Sequence, residues 1–151
     1  MELQLDLSGN QLCGVNEYGE GTYTAEGITA IADALRVNGA LTSINLSRNL
    51  LCGVDNWGQG TYTAEGITAI ADALRVNGAL TSLDLSNNQL CGLDRFGLGT
   101  FTAEGITAIA DALRVNGALT ALNLSSNKIE EEGKASIRNA VQGKAPFSCN
   151  C

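Results

Sequence analysis

The stretch LTSLDLSNNQL, residues 80–90, decides how the rest of the chain is read. Leu83 and Leu85 alternate with Ser82, Asp84 and Ser86, the period-two pattern of a half-buried strand. Three residues past Leu85 stands Asn88, whose amide can donate and accept where the backbone must turn without access to water. The motif recurs at a fixed step of 39 residues: Leu7 and Asn10, Leu46 and Asn49, Leu85 and Asn88, Leu124 and Asn127. Self-similarity at one fixed step is the mark of a solenoid, in which each unit buries its apolar face on the next.

Between the strand motifs lies a phrase, TAEGITAIADALRVNGALT, that occurs unchanged at 24–42, 63–81 and 102–120. It predicts a helix. Thr24 is placed to cap it, and Glu26 complements the positive end of the helix dipole. Ile28, Ile31, Ala32 and Leu35 fall on one apolar stripe, with Asp33 and Arg36 off it. Asn38-Gly39 is expected to end the helix through a left-handed glycine.

The pattern Leu80-x-x-Leu83-x-Leu85-x-x-Asn88-x-Leu90, followed by a full helix, resembles the ribonuclease-inhibitor-like subfamily of leucine-rich repeat proteins over about residues 2–143. The resemblance implies an α/β horseshoe segment, with a parallel sheet on the concave face and helices on the convex face. It also implies partner binding on the strand face and no catalytic centre. The family includes GTPase-activating proteins, so a GTPase-regulating repeat protein is an alternative. The expected organisation is a single domain over 1–143, in units of about 2–40, 41–79, 80–118 and 119–143, with a tail over 144–151.

The chain departs from that family in one respect. Units there run to about 28 residues, and only the last unit here obeys, Glu104-Gly105 reappearing as Glu132-Gly133. The first three units are longer by eleven residues, inserted between strand and helix: CGVNEYGEGTY (13–23), CGVDNWGQGTY (52–62) and CGLDRFGLGTF (91–101). In one reading the inserts stack on each other. Tyr18, Trp57 and Phe96 then form one aromatic row, Tyr23, Tyr62 and Phe101 another, and TYT or TFT adds a short second strand. In the other reading the tips Asn16-Glu17, Asp55-Asn56 and Asp94-Arg95 contact a partner. Asp55 or Asp94 with Glu65 or Glu104 also loosely resembles a calcium loop, although Trp57 and Gln59 stand where oxygen ligands belong. A calcium- or metal-binding stacked-loop module is therefore a further alternative. The GxGT of the inserts lacks the third glycine and the Lys-Ser/Thr pair of a phosphate loop.

Composition narrows the function classes. The 151 residues include no histidine, which removes the commonest general base and metal ligand. A net charge of −7 with scattered Lys and Arg argues against nucleic acid. No apolar run is long enough for a membrane span, and the first residues lack a secretion signal. Cys13, Cys52 and Cys91 are expected as small buried hydrophobes in a reducing compartment, and Cys149 and Cys151 as part of a loose end.

Together these features predict a cytoplasmic, non-enzymatic protein-interaction scaffold without cofactor. Its candidate contact residues are Asp6, Asn45, Arg48, Asp84, Asn87 and Asn123 on the strand face, and Glu17, Tyr18, Asp55, Trp57, Asp94 and Phe96 in the inserts. Lys134 for Ile106 and Arg138 for Ala110 predict a polar C-terminal cap, with Pro146 marking the exit. Glu2 stands where the first repeat leucine belongs, so the first rung is expected to expose an apolar edge. That edge predicts either the end of a longer repeat protein or a homodimer that buries it.

Overall fold

The computed structural model describes residues 2–94, 96–144 and 146–151. Strand and helix alternate along the chain: β1 (Gln4–Asp6), α1 (Glu26–Val37), β2 (Ser43–Asn45), α2 (Glu65–Val76), β3 (Ser82–Asp84), α3 (Glu104–Val115), β4 (Ala121–Asn123), α4 (Glu131–Ala140) and β5 (Ser148–Asn150). The strands form one parallel sheet in chain order, with Leu5, Ile44, Leu83, Leu122 and Cys149 in register. The helices stack beside one another across the core, giving an α/β leucine-rich repeat solenoid.

The constant step and the apolar stripe explain this register. Equal unit length brings Ile44, Leu83 and Leu122 to the same depth, all of them buried. Ile67, Ile70, Ala71 and Leu74 of α2 and their α3 equivalents are also buried between neighbouring rungs. In α1 the stripe holds at Ile28, Ala32 and Leu35, but Ile31 is half-buried because no rung packs on that side. Leu3 and Leu5 are 40% and 42% exposed for the same reason.

Buried asparagines carry the turns. The Nδ2 of Asn88 donates to the carbonyls of Leu46, Leu85 and Ser86 at 3.0, 3.0 and 3.2 Å. Its Oδ1 accepts the backbone N–H of Asn49 at 2.9 Å. Asn49 and Asn127 repeat the arrangement in their own rungs. One side chain thus satisfies backbone groups of two successive units.

A second ladder runs along the helix ends, and it corrects the expected capping. Asn38, Asn77 and Asn116 are extended, and the glycine after each is not left-handed. What ends each helix is the asparagine side chain. In Asn116, Oδ1 accepts from Ala118 and Leu119, while Nδ2 donates back to Leu74 and Asn77 of the preceding unit at 2.6 and 3.1 Å. The helix starts also differ from expectation. Ala25 occupies the N-cap position, and Thr24 accepts the N–H of Glu26 from just outside it.

The residues expected as a loose tail extend the sheet instead. Ser148 donates to Thr120, and Leu124 to Asn150, so β5 covers the edge that β4 would otherwise leave open. Phe147 and Cys149 pack against the core, and Cys149 is disulfide-bonded to Cys151. On α4, Lys134 is half-buried and Arg138 exposed, the latter paired with Glu131.

Tyrosine hydroxyls tie further rungs. Tyr23 donates to Leu51 O at 2.7 Å and Tyr62 to Leu90 O at 2.9 Å. The third member of the set is Phe101, which has no hydroxyl to offer the equivalent carbonyl of Ile129.

Three substitutions test these hydrogen bonds. Asn88→Ala leaves the buried Asn49 N–H without an acceptor and takes one of two donors from the carbonyls of Leu46, Leu85 and Ser86, and is expected to cost about 2 kcal/mol in urea unfolding. Asn10→Ala sits in the exposed first rung, where the side chain donates only to Ser8, and should cost no more than about 0.5 kcal/mol. Phe101→Tyr should add about 1 kcal/mol of stability by completing the third tie. Equal costs at Asn10 and Asn88 would show that the ladder does not hold the rungs.

Candidate functional site

Each insert folds as a closed hairpin on the edge of the solenoid. An isolated antiparallel bridge joins Val15 to Gly21, Val54 to Gly60 and Leu93 to Gly99, in place of the expected second strand. Gly60 has φ +109°, and a Cβ there would lie 2.2 Å from Gly53 O, so the hairpin closes only on glycine. An acidic or amide side chain fixes the tip. The Oδ1 of Asp55 accepts the N–H groups of Trp57 and Gln59 at 2.8 and 2.9 Å. Asp94 does the same for Phe96 and Leu98, and Asn16 for Tyr18 and Glu20.

This geometry gives two of the candidate contact residues a structural role. Asp55 and Asp94 are 5% and 1% exposed, so they close their turns from inside and offer a partner little surface. Among the described residues no three Cys, Asp or Glu side chains gather where they could hold a metal ion. Arg95, expected at the third tip, lies outside the described residues.

What the inserts do present is apolar. Tyr18 is 69% exposed, Trp57 49%, Phe96 63% and Leu98 61%. Trp57 and Phe96 are stacked with ring centroids 6.5 Å apart. Of the second aromatic set, Tyr23 and Tyr62 turn inward to make the hydroxyl ties described above, while Phe101 stays 38% exposed. Glu17 is exposed beside Tyr18, and its carbonyl accepts from Asn56 of the next insert at 3.3 Å.

The strand-face residues are largely occupied by the fold. Asp6, Asn45, Asp84 and Asn123 each accept the N–H two residues on and so finish their strands. Asp84 also accepts from Asn123 at 2.9 Å. The Ser8 hydroxyl and amide hold the Asp6 carboxyl below the usual carboxylate range. Arg48 is exposed and Asn87 half-buried, both in left-handed backbone at the turn that follows the strand.

Between these turns and the overhanging insert tips runs an open groove of about 910 Å³. Arg48, Asn87 and Glu17 line it, as do Gln11, Leu50, Gln89 and Lys128, which sequence reasoning missed. These last four hold φ between +51° and +54°, one residue beyond each ladder asparagine. Glutamine, leucine and lysine carry no composition signal for that conformation. The only available sign was their fixed offset from Asn10, Asn49, Asn88 and Asn127.

The buried thiols form no site. Cys13, Cys52 and Cys91 are at most 1% exposed, and burial pushes them from 9.0 up to about 11, 12 and 11. Burial likewise raises the Tyr23 and Tyr62 phenols. The folded state favours the neutral thiol. That contribution is complete below pH 9 and is lost as pH rises through 11 to 12. The three thiols should therefore resist alkylation in the native protein at neutral pH and react on unfolding. The melting temperature should fall progressively above pH 9; a flat profile to pH 11 would contradict the burial.

Comparison with known proteins agrees with the architecture. The family model described as Leucine Rich Repeat matches residues 79–101, the unit whose strand opened the sequence reading. No curated protein matches the chain. Among solved structures, "Leiomodin-1 Actin-Binding Site 2 (ABS2)" superposes with TM-score 0.65 at 19% identity, over 97% of this chain and 68% of that one. A tropomodulin C-terminal domain of Caenorhabditis elegans gives TM-score 0.48 at 9% identity, over 93% and 83%. At this identity the first likeness speaks for the fold alone, and that fold is the leucine-rich repeat solenoid.

Proposed function

We propose that this chain is a non-enzymatic protein-interaction scaffold that binds its partner through the insert edge. The observation that carries the reading is the exposed row Tyr18, Trp57, Phe96 and Leu98, held on hairpins that are rigidly closed by Asn16, Asp55 and Asp94. Aromatic side chains are the residues that most often dominate protein interfaces, and rigid presentation lowers the entropy lost on binding. Arg48, Asn87 and Glu17 border the row, whereas Asp6, Asn45, Asp84 and Asn123 supply a polar flank whose hydrogen bonds are mostly internal.

The fold neighbour with TM-score 0.65 carries an actin-binding site in its title. It supports a protein as the class of partner and says nothing of which one. The ribonuclease-inhibitor-like subfamily is the finer assignment we favour, because each of the first four strands is followed by a full helix of ten or twelve residues. The inserts are then this chain's own elaboration of that plan.

Immobilised chain should capture a partner whose retention falls by about tenfold in Trp57→Ser/Phe96→Ser, with the fold intact by circular dichroism. Asn45→Lys on the strand face should retain the same partner with little change. Loss in the strand-face variant, with none in the aromatic variant, would move the interface away from the inserts.

A further inference from the structure

The groove beneath the insert tips has a chemistry of its own. Gln11, Leu50, Gln89 and Lys128 line it, one from each rung, and their backbone N–H groups donate to no protein acceptor among the described residues. Leu50 and Gln89 are only 4% and 5% exposed, so these are donors held close to the interior without a partner. Gln11 and Lys128 are exposed. Buried backbone donors are nearly always paired, so the N–H groups of Leu50 and Gln89 are the ones an acceptor entering the groove could receive. The side-chain Oε1 of Gln89 also lacks a donor, although its Nε2 is held by Asn56 at 3.0 Å.

The charges that line the groove have the same preference. Arg48, Lys128 and Lys134 line it, and none makes an ion pair among the described residues. Glu17 is the one acidic side chain in the lining. Glu131, near Lys134, is engaged by Arg138. This basic strip lies on a chain of net charge −7. At physiological ionic strength fields are screened within about 8 Å, so the local charges decide what binds.

We propose that the groove binds an acidic segment of a partner protein in extended conformation. The segment's carbonyls or carboxylates would receive the Leu50 and Gln89 amides, and its acidic side chains would pair with Arg48, Lys128 and Lys134. Rungs of a parallel sheet lie about 4.8 Å apart and an extended chain rises about 3.3 Å per residue. Arg48 and Lys128 stand two rungs apart, which matches acidic residues about three positions apart. The groove exists because the inserts overhang the turns, so it belongs to the longer units of this chain. The proposal rests on the scaffold reading and adds a second contact to it.

The test uses the whole chain and a synthetic blocked peptide of about nine residues with glutamate at every third position and Thr or Val between. The same peptide with lysine for glutamate serves as control. The glutamate peptide should bind, the lysine peptide should not, and affinity should drop about tenfold as salt rises from about 0.05 to about 0.5 M. Binding should shift the amide resonances of Leu50 and Gln89. Arg48→Glu/Lys128→Glu changes two exposed side chains and should weaken the glutamate peptide by about tenfold with unchanged melting. Absence of binding, equal binding of both peptides, or shifts confined to the Trp57 indole would overturn the proposal. Partner capture through Trp57 and Phe96 alongside any of these would sink the groove and leave the scaffold reading standing.

Discussion

The stacking of this molecule depends on three buried asparagines, each of which satisfies two backbones at once. A chain that turns out of a parallel strand, inside a stack, has carbonyl and amide groups that water cannot reach. Asn49, Asn88 and Asn127 take them up with one Nδ2 and one Oδ1, half within the rung and half across to its neighbour. Aspartate lacks the donor, serine lacks the second arm, and glutamine is a methylene too long for the turn. A constant step follows from this geometry, because the ladder closes only when successive units place their asparagines in register; the inserts set its length at 39. The second ladder at Asn77 and Asn116 applies the same rule at the helix ends and locks the other side of the stack.

Strands, helices and their order were legible because each rests on a short-range pattern. Leu83 and Leu85 alternate, Ile67, Ile70, Ala71 and Leu74 recur at helical spacing, and both signals repeat without drift. Where the reading missed, the deciding contact lay in another unit. Asn38-Gly39 looks like a glycine stop, yet the asparagine is extended and its equivalents reach into the preceding rung. The C-terminal residues look like a tail by composition, yet an open β4 edge and the apolar Phe147 and Cys149 draw them into the sheet. Asp55 and Asp94 look like exposed charges, and only the hairpin geometry shows the carboxylate turned inward. The groove was the least visible feature. Its lining comes from several units, and Gln11, Leu50, Gln89 and Lys128 share only their offset from the ladder asparagines.

The inserts change what a short solenoid can offer. A plain stack of four rungs presents a narrow strand face, and here most of its polar atoms are spent on closing turns at Asp6, Asn45, Asp84 and Asn123. Hairpins of eleven residues project aromatic rings beyond that face and roof a channel beneath them. They are stiff for their length. Each is bridged once across its base, pinned at its tip by Asn16, Asp55 or Asp94, and stacked on the next.

Differences between the units fall where such a surface would need them. The unit from 41 to 79 and the unit from 80 to 118 are identical throughout their helices. Two of their differences, Ile44 against Leu83 and Val54 against Leu93, exchange one apolar residue for another, and a third, Tyr62 against Phe101, removes a hydroxyl tie. The other six are Asn45 against Asp84, Arg48 against Asn87, Leu50 against Gln89, Asn56 against Arg95, Trp57 against Phe96 and Gln59 against Leu98. A helix wedged between identical neighbours has no freedom to vary, since any change must fit two interfaces at once. Residues at the strand exit and on the insert have at most one such constraint, and they alone give each rung an identity. Recognition in a stack of copies has to reside in the positions that distinguish the copies, and here those positions line one edge and the groove under it.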